Sequence, residues 1–514
     1  MEKNAILGYT GLVGSYIRES LDPQNTEYYN TKNFETVRGK KFNTVFCACV
    51  PAVKWKANQN PVWDRNIIRN IFDIVKTIQC QQMILISTID VHDHRHPFQD
   101  ESVIRPSLEA YGFNRYELEN QLRSAFEERL VIVRLPALFG VGLKKNIIFD
   151  LINNNNIDRI NLNSAYQWYP LSWLYQDIQT ALSEKINVIN LYPDAIETYD
   201  IICEIFPSEK ENVVHKNRVH YRQKSRHEHL YMYSTNAILK FMKEYVRMVK
   251  YINQPNRMVV SNMAWDPIHD DHAIFLMKRY GIKNVELLPT KYDTWEKNFA
   301  EPTFHLKYKK ENINIYSLQA VLYGVQADFI NNTSLITEHL NKAMELCEKL
   351  GGKVIVVGSP KTRKQVQDMS ILECEKIVSE VLDKVQKKNR NVKLCLEANA
   401  KEYGCEIGND LKSCNRIAKD REFFLNFDTG NYIMEKDNNL SWKSNKVGHC
   451  QLSYPFLRPI HFIGYERFKH SDISFCIKNL KKDTKISLEI KNENITSLGE
   501  QFRRFATFVS ETVI

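Results

Sequence analysis

Short apolar runs alternate with amphipathic stretches along most of the chain. In the first half the runs at 4–7, 44–50 and 83–88 read as buried strands and 130–140 as a further strand and turn, with another strand at 27–30. Helical spacing follows several of them, as in Ser15 to Leu21 and in Tyr116, Leu118 and Leu122. From Phe206 to about Ser234 the chain turns polar and basic, and it reads as a linker. Beyond it the alternation resumes. Strand candidates fall at 259–263, 284–288, 315–319, 353–357, 392–396, 423–427, 448–452 and 485–489, with helical stretches such as 335–350 and 371–387 between them. Eight strand–helix units in roughly 250 residues point to a (β/α)8 TIM barrel, whose chemistry sits at the C-terminal strand ends. The predicted architecture is α/β: a Rossmann-like doubly wound parallel sheet over 1–205, a linker over 206–234, and a barrel over 235–514.

Length and composition agree with this division. At 514 residues the chain is too long for one ordinary core. Its 43% apolar and 25% charged content is that of a globular protein. The net charge of +9 comes from Lys and Arg scattered among acids, which argues for a solvated surface and against nucleic-acid binding. The eleven Cys lack paired metal spacing, and reduced thiols in a cytoplasmic protein are expected. Met1-Glu2-Lys3 leads straight into a strand without a signal peptide. No apolar run approaches the ~20 residues of a membrane helix, so no membrane partner is expected.

The chemistry of the first half starts at Gly8-Tyr9-Thr10-Gly11-Leu12-Val13-Gly14, between a strand and a helix. Glycines there let the backbone approach a pyrophosphate, and the helix N-terminus offers free N–H donors. The second strand ends in Asn30-Thr31-Lys32, without the acid that would bind ribose hydroxyls, so NAD and NADP both stay open. Lys54 and Trp55 lie in the loop after the next strand, where a ligand contact and simple loop packing are equally served. Thr88 ends another strand. Tyr111 and Arg115, four apart on a helix, share one face. A cation beside a phenol lowers its pKa and favours proton transfer. His92-Asp93-His94-Arg95-His96 has a metal-like look, but a polar loop accounts for it. Gln167-Trp168-Tyr169-Pro170-Leu171 suits a sugar pocket or the packing of a small lobe.

The G-x-x-G-x-x-G spacing, Thr88, Tyr111 and the segment from Arg134 to Gly140 together resemble the extended short-chain dehydrogenases, specifically the NAD-dependent epimerase/dehydratase branch, over roughly 1–205. The resemblance implies a nicotinamide cofactor held by Gly8, Thr10, Gly11, Leu12, Val13, Gly14, Asn30, Lys32 and Arg115. It implies catalysis by Thr88 and Tyr111, with Arg115 where the family carries Lys. Arg remains charged, but its fork is bulkier and differently placed. Oxidoreduction and a binding-only module are both compatible with that change.

In the second half, polar residues stand at strand ends: Glu397, Asp428, His449, Gln451 and Glu489. Carboxylates converging on a barrel mouth suit a cation or acid–base work. The segments Leu396-Glu397-Ala398-Asn399, Phe427-Asp428-Thr429-Gly430-Asn431, Gly448-His449-Cys450-Gln451 and Ser487-Leu488-Glu489 resemble the xylose isomerase-like barrels of sugar-phosphate isomerases and epimerases, over roughly 255–512. The loop Gly358-Ser359-Pro360-Lys361-Thr362-Arg363 fits as well. The resemblance implies a divalent metal (Mn, Mg or Zn) on Glu397, Asp428, Gln451 and Glu489, with Glu397 and Glu489 as the acid–base pair. Gln451 stands where the family's His usually is, which favours Mg or Mn over Zn. Asn431 stands where a His often polarises substrate. Trp265, Glu286, Lys361, Arg363, His449 and Arg458 are expected substrate contacts. Only His449 and His461 lie near the seventh strand, too few for the tri-zinc endonucleases that share this barrel. The expectation is a bifunctional carbohydrate enzyme acting on a sugar or sugar phosphate, with oligomerisation open. The alternative is a barrel isomerase carrying a non-catalytic nucleotide-binding domain.

Overall fold

The computed structural model describes residues 2–210, 212–214, 219–231, 233–435, 446–459, 472–491 and 494–513. The chain divides into two compact units, 1–250 and 251–514.

The first unit is built on a six-stranded parallel sheet in the order β2-β1-β3-β4-β5-β8. The strands are β1 (Asn4–Leu7), β2 (Thr26–Tyr29), β3 (Lys41–Cys47), β4 (Gln79–Thr88), β5 (Leu130–Leu135) and β8 (Val188–Asn190). Both faces are covered, which is why β5 is buried throughout instead of alternating. One apolar layer holds Leu7, Val45, Leu85, Leu118 and Leu122; the other holds Ile6, Phe46, Ile84, Val133 and Leu174. The strand order reverses between β1 and β3, the point where open α/β sheets leave a crevice for ligands. A smaller sheet joins β6 (Ala137–Phe139), β7 (Ala165–Pro170) and β9 (Ala195–Glu197).

Two buried ion pairs fix the helix Ala110–Phe126 against this unit. Arg134 on β5 grips Glu119 at 2.6 Å and 3.0 Å. Arg115 grips Asp64 at 2.8 Å and 3.1 Å. The first unit also runs further than the expected 1–205. The stretch expected as linker packs onto it: Ala165 donates to Val219, Tyr221 to Ala165, and Phe98 to Arg222 through their backbones. Gln167 and Gln223 exchange side chain–backbone hydrogen bonds, both buried. A polar composition conceals this order because its partners are backbone groups of β7 and the 93–106 loop. Gln167 to Leu171 therefore serves packing, with Trp168 and Tyr169 enclosed.

The second unit is a closed parallel barrel of eight strands in sequence order. They are β10 (Met258–Ser261), β11 (Asn284–Leu287), β12 (Asn314–Leu318), β13 (Val354–Val357), β14 (Lys393–Glu397), β15 (Phe424–Asp428), β16 (Val447–Leu452) and β17 (Ile486–Leu488). Each lies within a residue or two of its predicted run, because a buried parallel strand is a continuous apolar segment. The interior departs from an aliphatic filling. Ser261, Glu286, Ser317, Gln319, Asn426, His449, Gln451 and Ser487 are all buried. Among the described residues no helix is long and apolar enough to cross a membrane.

Candidate functional site

At the C-terminal barrel mouth three acids converge. Glu397 ends β14, Asp428 ends β15, and Glu489 follows β17. All three are buried. Glu489 and Asp428 lie close enough for each carboxyl to shift the other's pKa. Glu397 Oε1 accepts from Asn399 Nδ2 at 2.6 Å and from Asn431 Nδ2 at 3.0 Å. Asp428 Oδ1 accepts from the Asn431 backbone at 2.6 Å, and Ser453 Oγ reaches both of its oxygens at 3.3 Å and 3.2 Å. Asn431 thus ties two of the acids together. Burial first, and then the charge of Asp428, push Glu397 above the usual carboxyl range. Burial followed by Glu397 and Asp428 does the same for Glu489. Burial raises Asp428 too, against the hydrogen bonds from Asn431 and Ser453. Carboxyls raised in this way can both hold and accept a proton near neutral pH. Tyr403 faces the trio, its phenol pushed up to about 12 by burial and then by Asp428.

The metal set implied by the resemblance does not assemble. Gln451 is turned into the barrel interior, where its Nε2 donates to Glu286 Oε1 (2.9 Å) and Gln319 Oε1 (2.6 Å), and its carbonyl accepts from Asn426. Among the described residues no group of three or more His, Cys, Asp or Glu is arranged to hold a metal ion. That also answers the His92 to His96 run: His92 is buried beside Tyr192, and Asp93 is engaged by Arg95.

The expected substrate contacts largely resolve into structure. Glu286 accepts from Ser317 (2.7 Å), His449 Nε2 (2.8 Å), Gln451 (2.9 Å) and Ser487 (2.9 Å) inside the barrel. Burial alone would raise its pKa, but His449 and the hydrogen bonds outweigh that and hold it below the usual range. His449 and Glu286 therefore serve the interior and not the mouth. Arg363 is fully buried, donating to the Ile407 and Gly408 carbonyls and to Asn399, so it acts on Glu397 through Asn399. Trp265 is buried and donates to Asp270 at 2.9 Å. Lys361 and Arg458 remain exposed on the loops after β13 and β16. His461 lies outside the described residues. Sequence reasoning missed Asn399, Tyr403 and Ser453 as neighbours of the trio. Asn399 stands two places past a strand-end Glu, and that adjacency was the one visible signal.

The first unit presents its own constellation at the C-terminal edge of the sheet. Gly8 has φ +88°, and a Cβ on it would stand 2.5 Å from the Ala48 carbonyl oxygen. Only glycine fits between the loops after β1 and β3. The helix Leu12–Glu19 starts without a side-chain cap, and Gly11 faces open space on its outer side. That open, uncapped helix start fits a dinucleotide phosphate on the turn from Gly8 through Thr10, Gly11, Leu12 and Val13 to Gly14. Asn30 bonds to Tyr9 of the same turn at 3.2 Å, and Lys32 is exposed.

Thr88 and Tyr111 lie at one edge of the sheet: Thr88 Oγ1 accepts from the Asp90 backbone, and a Cβ on Gly112, next to Tyr111, would touch the Asp90 carbonyl. Burial raises the Tyr111 phenol above its ordinary range; Arg115 and Lys54 pull it back only in part. Arg115 does not reach a ligand position. It is 4% exposed, its guanidinium lies 3.7 Å from the Tyr111 ring centroid, and its terminal nitrogens donate to the Asp64 carboxylate and to the Pro51 and Tyr111 backbone carbonyls. The cofactor contact expected of Arg115 is thereby overturned.

Residues 274–504 match a family model described as the xylose isomerase-like TIM barrel. No curated protein matches the chain at a significant level. For the N-terminal half, similar solved structures include a dTDP-4-dehydrorhamnose reductase from Yersinia enterocolitica, 15% identical, covering 48% of this chain and 99% of that one, TM-score 0.40. A UDP-N-acetylglucosamine 4-epimerase from Methanobrevibacter ruminantium is 15% identical, over 48% and 97%, TM-score 0.39. A UDP-glucuronic acid 4-epimerase from Bacillus cereus, in complex with UDP-glucuronic acid and NAD, is 14% identical, over 48% and 99%, TM-score 0.37. The chain thus carries a barrel that matches the xylose isomerase-like family over residues 274–504.

Proposed function

We propose that the protein is a bifunctional carbohydrate enzyme, with a barrel that isomerises or epimerises a sugar or polyol by proton transfer and an N-terminal unit that oxidises or reduces a sugar hydroxyl or carbonyl. The observation that carries the barrel reading is the buried trio Glu397, Asp428 and Glu489 at the barrel mouth, whose carboxyls burial and mutual charge push above the usual range. In this reading Glu397, steadied by Asn399 and Asn431, takes the proton from a carbon beside a carbonyl. The freed electron pair moves onto the carbonyl oxygen, which receives the proton held by Glu489. Return of the first proton from Glu397 to the neighbouring carbon, with the hydroxyl of the first carbon giving its proton to Glu489 as it becomes the new carbonyl, isomerises the sugar. Epimerisation instead has Glu489 recover the oxygen's proton and deliver it to the opposite face of the first carbon, leaving Glu397 protonated. No step is routed through a metal, because Gln451 is committed elsewhere.

In the N-terminal unit a nicotinamide nucleotide would lie along the turn from Gly8 to Gly14 and supply the hydride acceptor or donor. Thr88 and Tyr111 would hold the substrate oxygen and exchange its proton. The test for the barrel is incubation with candidate aldoses, ketoses and polyols in D₂O. Carbon-bound deuterium appears with the native chain and falls away in E397Q; no exchange on any substrate overturns the barrel reading.

Arg115 supports a second reading. Its pairing with Asp64 removes the cation that the Tyr111 pattern calls for, as in a unit that binds nucleotide without turnover. Titration with NADH and NADPH, followed by absorbance on adding candidate sugars, separates the two. Binding with absorbance change favours oxidoreduction, and binding without it favours the regulatory module.

A further inference from the structure

Arg115 leaves the Tyr111 site without a cation free to meet a ligand, yet a second cation stands beside it. Lys54 opens the helix Lys54–Gln59 just after β3, on the side of the sheet where the strand order reverses. Its Nζ lies 2.8 Å from Asp90 Oδ1, 3.1 Å from the Tyr221 hydroxyl and 3.5 Å from Glu109 Oε2. Asp90 in turn donates its backbone N–H to Thr88 Oγ1 at 3.2 Å. Thr88 lies near Tyr111. The Lys54 side chain is 38% exposed, against 5% for Arg115.

The two cations therefore differ in kind. Arg115 lies against the face of the Tyr111 ring, and its terminal N–H groups are fixed to a buried carboxylate and to carbonyls. It contributes a constant field and no available donor. Lys54 sits at the rim with three donors on a flexible stem. Its present partners include a phenol and a half-exposed carboxylate, which a ligand hydroxyl can replace at little cost. Burial works against its charge, but Asp90 and Tyr221 outweigh that and keep its pKa above the usual lysine range. Tyr221 reaches the site because the 219–225 stretch folds along β7.

We propose that Lys54 is the ligand-facing cation of the N-terminal unit, donating to the ribose hydroxyls of a bound nicotinamide nucleotide beside Tyr111, while Arg115 is a structural anchor. This rests on the reading that the unit takes such a nucleotide. The charged and titratable groups facing the phenol are Arg115 on its own helix, Asp90 after β4, and Lys54.

The test uses the full chain. NADH and NADPH are titrated by fluorescence against native protein, K54M, K54R and K56M, the last altering an exposed neighbour stacked on Trp63. The expected result is binding at least about ten-fold weaker in K54M, partly recovered in K54R, and unchanged in K56M. Native-like affinity in K54M overturns the proposal alone. Failure of the native chain to bind either nucleotide overturns the nucleotide reading and the proposal with it. A second measurement needs no nucleotide: 3,5-difluorotyrosine at position 111 is titrated by ¹⁹F NMR. K54M should raise its ionisation midpoint by about one pH unit, as loss of a nearby opposite charge does. An unchanged midpoint shows that the ammonium does not reach the hydroxyl, and overturns the assignment.

Discussion

Glu286 and His449 meet inside the barrel at 2.8 Å, from strands β11 and β16, and neither is exposed at all. A carboxylate only accepts, so the His449 Nε2 carries the hydrogen. Breaking one side of such a pair leaves a buried charge without its partner, at a cost of about 3–5 kcal/mol. H449A should therefore destabilise the barrel by that order, measured by urea denaturation. E286Q should cost less, because an amide can still pair with Ser317, Gln451 and Ser487. Equal and small losses in the two variants would contradict the pairing.

A second prediction concerns room for the Glu397 carboxyl. A Cβ on Gly358, in the loop after β13, would stand 2.8 Å from Glu397 Oε2. The obstructed atom is the end of a side chain, so it can move without unfolding the barrel. G358A should change stability by less than about 1 kcal/mol. Deuterium exchange into substrate should fall by about 10-fold or more, since small misplacements of a reacting group are costly. Unchanged exchange in a stably folded G358A would remove Glu397 from the reaction.

The pattern of the sequence carried the architecture further than the sites. The eight barrel strands and the strands of the first sheet are legible because each is a run of apolar residues, and burial of that run is a local property. Glu397, Asp428 and Glu489 were legible as strand-end acids for the same reason. Gln451 was not, because side-chain direction along a strand says which face is inward but not which partner is met there. Its partners Glu286 and Gln319 lie 165 and 132 residues away. Arg115 was misread likewise: Asp64 is 51 residues distant, and nothing in the Tyr111–Arg115 spacing encodes it. The 219–225 stretch was hidden by composition, since its order comes from backbone pairing and two buried glutamines.

Stability of the first unit should depend on pH through His92. The ring is 2% exposed, packs edge-on against Tyr192 at 5.9 Å, and neither ring nitrogen finds a hydrogen-bond partner. Burial first, and then the charge of Arg134, depress its pKa to about 3. The unfolded value is near 6.5. A depressed pKa means that the stabilisation is present above 6.5 and is lost as pH falls toward 3. Each unit in that window costs about 1.4 kcal/mol. H92F should therefore gain on the native chain by about 2–3 kcal/mol between pH 7 and pH 4.5, as read from urea denaturation at each pH. A pH-independent difference between the two proteins would show that His92 is free to protonate in the fold.

Two glycines of the first turn separate packing from ligand binding. A Cβ on Gly14 would collide with the Gly8 carbonyl, against which the first helix rests, and the obstructing atoms are backbone. G14A should cost about 1–3 kcal/mol of stability, the usual penalty of overpacking. Gly11 is different. Its Cβ would meet only the Gly8 oxygen at 3.3 Å and otherwise project into open space. Its φ of −73° and ψ of 166° suit any residue, so backbone strain gives no reason for glycine there. On the proposed nucleotide reading, close approach by a pyrophosphate to the uncapped helix start is a further reason for glycine. G11A should lose less than about 1 kcal/mol of stability, while NADH and NADPH binding weakens by 10-fold or more. If G11A binds as tightly as the native chain, the turn serves packing alone, and the nucleotide must be sought elsewhere in the unit.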